Sequence, residues 1–352
     1  MPYLTIDLGR LAHNAALICQ AAGEQGVSIY AVTKVLCGDP AVAAVFLEAG
    51  AAAIADSRLD NIARMRQAGV TGPFVLLRLP APSIAREVVR LADISLNSEL
   101  ATCQALSMAA QEADLIHKII LMVDVGDLRE GIWPSDFVAL LDKVRELPHL
   151  EIIGVGTNLA CFGGVIPDAA NQEQLRQLAL QAEAILGQPM LVSGGNSSSL
   201  SLLAHNKVGA GIDNLRLGEG IILGRETINR APIPGAYLDG CIITAEIIEL
   251  KEKPSVPQGT IGQDAFGNVP VFTDRGRRTR AILDIGRQDT VPEGLMPLLP
   301  GCEVLGGSSD HLILDTTLAP QLAVGDHVSF IPSYGALLAA ATSPYVKKVY
   351  VR

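Results

Sequence analysis

Ile29-Tyr30-Ala31-Val32-Thr33-Lys34-Val35 is an apolar run that ends on a lysine. An unpaired ammonium is costly to bury, so interior lysines are rare. This chain has only eight lysines in 352 residues. Runs of the same Val/Ile-rich texture recur at 28–34, 52–55, 74–79, 94–96, 119–124, 152–157, 190–193 and 214–217. They lack strict alternation, as strands buried on both faces do. Between them, apolar positions return every three or four residues, as at Leu11, Ala15, Ile18 and Ala22, which predicts a helix. Further helices are expected at 40–50, 57–68, 83–92, 98–112, 135–146 and 171–186, several opening on Ser or Asn caps. Eight strand–helix units in about 220 residues predict an α/β fold built on a closed (β/α)8 TIM-type barrel rather than a doubly wound open sheet.

Beyond the barrel the texture changes. The segment 230–235 carries two prolines and a glycine, which suits a hinge. Strand-like runs follow at 240–250, 279–285, 302–305, 311–315, 327–331 and 346–351, with Gly/Pro/Asp turns and little helix. The expected organisation is a barrel over 8–232 and a smaller, mostly β domain over 233–352. The opening strand, 1–7, is expected to pack with the second domain.

Composition narrows the function. A net charge of −10 argues against nucleic-acid binding, which needs a basic face. The one basic run, Arg275, Arg277, Arg278 and Arg280, reads as a solvated loop. No apolar run reaches the roughly 18–20 residues of a membrane span, and no secretion signal is visible. The six cysteines are scattered, with no C-x-x-C pair and no His/Cys metal spacing, so a reducing cytoplasm and no bound metal are expected. Only 18% of residues are charged, which suggests that much surface is covered by a partner subunit.

Two places stand out for chemistry. At the C-terminal end of a barrel strand Lys34 would face the active-site mouth, where desolvation lowers its pKa and permits a Schiff base. A lysine snorkelling outward is the alternative. The glycine- and serine-rich turn 193–199 follows the seventh strand, and a second glycine turn, 216–224, follows the eighth. Such turns present backbone N–H groups to a phosphate, or are ordinary loops. No G-x-G-x-x-G follows the first strand, so a dinucleotide fold is disfavoured.

Taken in order, Val32-Thr33-Lys34-Val35, the stretches 123–131, 154–164, 193–199, 215–224 and 307–315, and Tyr334 resemble alanine racemase and its relatives, the fold-type III pyridoxal-phosphate (PLP) enzymes. Within these, the ornithine-racemase-like group is the nearest match. The resemblance implies that Lys34 holds PLP as an imine and serves as one of two catalytic bases. It places Asn158 against the pyridine ring. It assigns the phosphate to Asn196, Ser197 and the backbone of Gly220 and Ile221, with the Tyr334 hydroxyl. Arg216 would hydrogen-bond the ring nitrogen and Arg129 would lie near the substrate carboxylate. It also implies a homodimer in which the second domain closes the partner's barrel.

The departures matter as much. Where the family carries its opposite-face tyrosine, this chain has Ile285-Gly286-Arg287-Gln288-Asp289, and an arginine is a poor base. Asp289, Asp310 and His311 are the candidates for the second base, His311 having the most suitable reference pKa; Arg287 joins the substrate pocket. Cys37 stands near the place of another pocket tyrosine and reads as a packing residue. Asp39, Asp127 and Glu130 lie in or beside the motifs and could attract a cationic side chain. The expected activity is racemisation of a basic amino acid such as ornithine. The alternatives are an alanine or broad-specificity racemase, a decarboxylase (Arg216 counts against it), a metal-dependent D-threonine aldolase and a non-catalytic PLP carrier.

Overall fold

A computed structural model describes residues 1–204 and 211–352. The chain divides into two compact units, residues 8–237 and residues 1–7 with 238–352.

The chain opens with strand β1 (Tyr3–Asp7), a member of the second unit. The first unit then alternates strand and helix. Its strands are β2 (Ser28–Val32), β3 (Ala53–Asp56), β4 (Phe74–Leu76), β5 (Ile94–Asn97), β6 (His117–Met122), β7 (Leu150–Gly156), β8 (Leu191–Ser193) and β9 (Asn214–Leu217). They pair in parallel in that order, and β9 returns to β2 to close the barrel. The helices are α1 (Leu8–Gly23), α2 (Pro40–Glu48), α3 (Leu59–Gln67), α4 (Ala85–Leu91), α5 (Leu100–Glu112), α6 (Phe137–Val144), α7 (Ala169–Leu186), α8 (Leu200–Ala204) and α9 (Glu219–Leu223). Each run predicted to be a barrel strand overlaps one. The core takes alternate strand residues, among them Tyr30, Val32, Ala53, Ala55, Ile94 and Leu96. The other parity packs outward; Phe74 on β4 is fully buried there, and burial of a phenylalanine contributes about 2–3 kcal/mol.

Several local expectations are corrected. The strand that carries Lys34 ends at Val32, and Lys34 opens a 3-10 turn, Lys34–Leu36. The serine caps are not used. The Asp39 carboxylate caps α2, and Asp168 caps α7 in a capping box whose third helical residue is Asn171. Ahead of α3, the Asp56 carboxylate takes the Arg58 N–H at 3.0 Å, so Ser57 is not needed. A carboxylate is the stronger acceptor for such donors.

In the second unit the strands are β10 (Cys241–Pro254), β11 (Arg277–Leu283), β12 (Leu295–Pro297), β13 (Glu303–Gly307), β14 (Leu312–Asp315), β15 (His327–Pro332) and β16 (Lys347–Val351), with one helix, α10 (Tyr334–Thr342). They form an antiparallel sheet in the order β12-β15-β10-β11-β14-β13, and β1 joins it between β10 and β16. Strand β12 and helix α10 are additions to the sequence reading. The basic run is not a solvated loop: Arg277 and Arg278 open β11. Arg278 pairs with Asp315 at 2.7 Å, Arg275 with Glu303, and Arg277 with Glu252. Among the described residues no helix is long and apolar enough to cross a membrane.

One buried histidine ties the barrel wall to pH. His117 on β6 is 2% exposed, and its Nε2 meets Ser95 Oγ at 2.8 Å. Burial pulls the imidazole from 6.5 down to about 4, with the Asp93 charge opposing. The fold therefore favours neutral His117, while the unfolded chain takes up the proton first. Stability from this group is complete above about pH 6.5 and is lost as pH falls through 4, by about 3 kcal/mol at the limit. Denaturant unfolding of His117→Gln across this range should have a shallower pH dependence than the parent chain; parallel curves would contradict it.

Candidate functional site

The Lys34 turn is clamped to α3. Thr33, one residue earlier, donates its hydroxyl to Asp56 Oδ2 at 2.8 Å, and Asn61 Nδ2 donates to Asp56 Oδ1 at 2.8 Å. Asp56 and Thr33 are fully buried. Arg64 holds the Cys37 carbonyl at 2.7 Å. Gly38 has φ +60° and lies so near Asn61 that a Cβ would come within 2.5 Å of the Asn61 Cβ, so only glycine fits. The Lys34 side chain itself keeps contact with solvent. Its ammonium has no hydrogen bond or ion pair among the described residues. The protein crowded around it still lowers its pKa by desolvation. Cys161, Asp56 and Glu130 oppose that shift and Arg129 adds to it. A side chain in a concave mouth can have a wet tip and a mostly protein surrounding, so the two observations agree.

Arg216, on β9 beside Tyr30 of β2, is 3% exposed. Its Nη1 donates to the Ser193 carbonyl at 3.3 Å and to the Ser193 hydroxyl. Its Nη2 donates to the Thr157 carbonyl and to Asn158 Oδ1, the latter at 2.8 Å. Its Nε makes no hydrogen bond among the described residues. Desolvation draws its pKa down to about 10, still far above neutrality, so it stays charged. Asn158 in turn donates to Glu130 Oε1 at 2.6 Å. Glu130 also accepts from Arg129, Nε to Oε2 at 2.6 Å and Nη2 to Oε1 at 2.7 Å.

The other two carboxylates expected to attract a cation are occupied. Asp39 caps α2. Asp127, 1% exposed, accepts the N–H groups of Cys161 and Phe162 on Oδ2, at 3.0 and 2.9 Å, and of Val165 on Oδ1. It organises the 161–165 loop, and a substrate role for it is withdrawn. Glu130 is likewise engaged by Arg129 and Asn158.

The two glycine turns after β8 and β9 meet. Ser197 Oγ accepts the N–H of Gly220 at 3.2 Å and of Gly218 at 3.4 Å. Asn196 takes the Ser198 N–H at 2.8 Å and donates to the Leu159 carbonyl at 2.9 Å and to Cys161 Sγ at 3.2 Å. A Cβ on Gly220 would come within 2.2 Å of Leu200. Ile221 is fully buried behind this turn. The barrel thus gathers Lys34, Arg129, Glu130 and Asn158 with Arg216, and sets Asn196, Ser197, Gly220 and Ile221 around one turn pair.

The remaining expected residues belong to the second unit. Its turn 286–289 lies against the turn 308–311: Arg287 and Gln288 donate their N–H groups to the carbonyls of Ser308 and Ser309. Arg287 is not free for a substrate. It pairs with Glu293, donates to the Gly307 carbonyl at 3.0 Å and covers the Phe266 ring. Asp289 is 8% exposed and accepts the Ser343 hydroxyl at 2.6 Å, which disfavours it as a mobile base. Asp310 and His311 are exposed, and the His311 ring makes no hydrogen bond among the described residues. Tyr334 is the half-buried first residue of α10.

Sequence reasoning missed Thr33, Asp56 and Asn61. The available signal was a carboxylate at the end of an otherwise apolar strand, Ala53–Asp56. It also missed Cys161 as a neighbour of Lys34.

Residues 6–225 match the family described as alanine racemase, N-terminal domain. A lysine racemase of Thermotoga maritima is 41% identical over 350 residues, 99% of this chain and 98% of that protein. An ornithine racemase of Acetoanaerobium sticklandii is 42% identical over 351 residues, 99% of each. Among solved structures, alanine racemase from Streptomyces coelicolor superposes with a TM-score of 0.77 at 19% identity, covering 99% of this chain and 98% of that one. Alanine racemase from Bartonella henselae, with covalently bound pyridoxal phosphate, superposes with a TM-score of 0.74 at 19% identity, covering 99% of each. These structures share the fold.

The lowered pKa of Lys34 has a direct readout. In the full chain freed of small molecules, acetylation of Lys34 followed by mass spectrometry should have a pH midpoint below the ~10.4 of an ordinary lysine. A midpoint at or above that value would contradict the desolvated environment.

Proposed function

We propose that this chain, which belongs to the alanine racemase family, interconverts the L and D forms of a basic amino acid with PLP held at Lys34. The observation that carries the reading is an amine without a partner, set beside a buried arginine network in one barrel mouth. The residues fit the cofactor. Two abutting glycine turns, carrying hydroxyls and backbone N–H groups, suit a phosphate. The free Lys34 amine suits an aldehyde. The Nε–H of Arg216 is the donor its own protein contacts leave over, and it suits a ring nitrogen.

When bound, PLP withdraws electrons from the Cα of an attached amino acid and acidifies its Cα–H. The protein's part is to hold, orient and move protons. Asn196, Ser197 and the backbone at Gly220 and Ile221 would bind the phosphate, with the Tyr334 hydroxyl. Asn158 would pack against the ring. Arg216 remains a donor at all working pH values and leaves the ring nitrogen unprotonated. That restrains electron withdrawal and favours simple proton exchange at Cα over other bond cleavages. Arg129 would orient the substrate carboxylate. Lys34 Nζ would take or return the Cα proton on its own face.

A racemase needs a second group on the opposite face, and His311 is our choice. Its imidazole is exposed and unengaged, unlike Asp289 and Arg287. The adjacent Asp310, also exposed, would meet the substrate's distal ammonium. Choice of a basic substrate rests on the lysine and ornithine racemases among the relatives. The working form would be a cytoplasmic homodimer in which one copy's second unit serves its partner's barrel. Leu128 and Phe162, on the two segments that Asp127 ties together, are 66% and 76% exposed and support a covered face.

Borohydride reduction of the PLP-loaded protein should leave a stable adduct at Lys34 by mass spectrometry. In deuterated water, lysine or ornithine of one hand should exchange at Cα with inversion, and alanine far more slowly. Carbon dioxide release would mark a decarboxylase, and a reduced adduct without any exchange would mark a carrier; either overturns the proposal. A mixture of the inactive variants Lys34→Ala and His311→Ala should regain activity after subunit exchange, because one site of each hybrid dimer is intact. No recovery despite demonstrated hybrid formation would place both groups on one chain or remove His311 from the mechanism.

A further inference from the structure

We infer that Glu130 is a positioning residue that couples the two arginines of the barrel mouth. The inference rests on the reading above, in which Arg129 meets the substrate carboxylate and Arg216 the cofactor ring.

The argument starts from donor and acceptor chemistry. A guanidinium has only donors and an ionised carboxylate only acceptors, whereas an amide has one end of each kind. Asn158 lies between Arg216 and Glu130. Only one orientation of its amide satisfies both: Oδ1 accepts from Arg216 Nη2 at 2.8 Å, and Nδ2 donates to Glu130 Oε1 at 2.6 Å. The same Oε1 receives Arg129 Nη2 at 2.7 Å, and Oε2 receives Arg129 Nε at 2.6 Å. One carboxylate therefore neutralises Arg129 and fixes the Asn158 amide that Arg216 leans on.

Glu130 is held in place to do this. Asp124 Oδ1 binds the N–H groups of Gly126 and Leu128, so the loop after β6 is a rigid turn. Gly131 closes it at φ +138°, packed so tightly that a Cβ would come within 2.4 Å of the Asp124 nitrogen. The next position after Glu130 thus admits only glycine, which fixes the backbone from which the carboxylate reaches its two partners.

The consequence is competition. A substrate carboxylate that engages Arg129 withdraws donors from Glu130. The charge released on Glu130 then falls more strongly on Asn158 and Arg216. Occupancy at the carboxylate site is thereby felt at Arg216, two hydrogen bonds beyond Glu130. Other titratable groups facing this chain are Lys34 on the turn after β2, Tyr30 on β2 and the Cys161 thiol on the loop after β7, which burial keeps protonated.

The test uses the PLP-loaded full chain and propionate, a carboxylate with no amine to displace Lys34. Propionate should shift the absorption band of the bound chromophore or its pH midpoint. In Glu130→Gln, which is isosteric but uncharged and frees the amide to reverse, the shift should fall about tenfold, and KM for the amino acid should rise by a similar factor. Asn158→Ser breaks the other link while keeping the Glu130–Arg129 pair, and should lose the spectral shift as well; it serves if Glu130→Gln does not fold. A full propionate response in either variant, or none in the parent protein, overturns the coupling. Failure to form any chromophore or borohydride adduct would instead sink the cofactor reading on which it rests.

Discussion

Arg216 carries a full positive charge into a site 3% open to water, and the surrounding strand ends are arranged around that cost. An ion removed from water must recover its hydration in hydrogen bonds or lose its charge. The carbonyls of Thr157 and Ser193, the Ser193 hydroxyl and the Asn158 amide supply them. These groups come from the ends of β7 and β8, while the arginine comes from β9. One side chain therefore sets the spacing of three successive strand ends, and the loops that follow those strands inherit their starting positions from it. The glycine turns that meet at Ser197 begin there, as does the segment carrying Asn158 and Cys161.

Two strands along the barrel wall, on β3, the opposite charge is handled the same way. Asp56 is fully buried and takes its donors from Thr33, Asn61 and the Arg58 backbone. Burial raises its pKa, while those hydrogen bonds act to lower it. A buried carboxylate next to the lysine-bearing turn gives that turn a fixed geometry. Together with the left-handed Gly38 it makes the turn a rigid mount rather than a flexible loop. The Lys34 ammonium on it has no hydrogen bond or ion pair among the described residues.

The barrel was legible in sequence because its strands are apolar on both faces and its helices are not, so eight changes of texture can be counted without any contact information. What escaped was whatever depends on partners distant along the chain. Asp127 lies in a motif, but its donors at Cys161, Phe162 and Val165 are more than thirty residues away, and no local pattern shows that it is already engaged. Arg287 hides Glu293 and Phe266 in the same way. Strand β12 has three residues, one of them proline, too few to make a period. Helix α10 is apolar on nearly every position, so it has no polar face to reveal a 3.6-residue repeat. The serine cap expected at Ser57 misled because the neighbouring Asp56 carboxylate takes the N–H instead.

Strand β1 has a further meaning for how the molecule comes into being. Leu4 and Ile6 are fully buried, paired on one side with β10 and on the other with β16, the last strand before the C-terminus. Strand β1 therefore meets β10 only after the whole barrel has been made, and β16 later still. The barrel is, in effect, an insertion between the first and second strands of a sheet, and it can close while that sheet still lacks members. During synthesis the opening strand waits with an apolar face and unsatisfied amides, and its brevity, five residues, limits the hazard of premature pairing with another nascent chain.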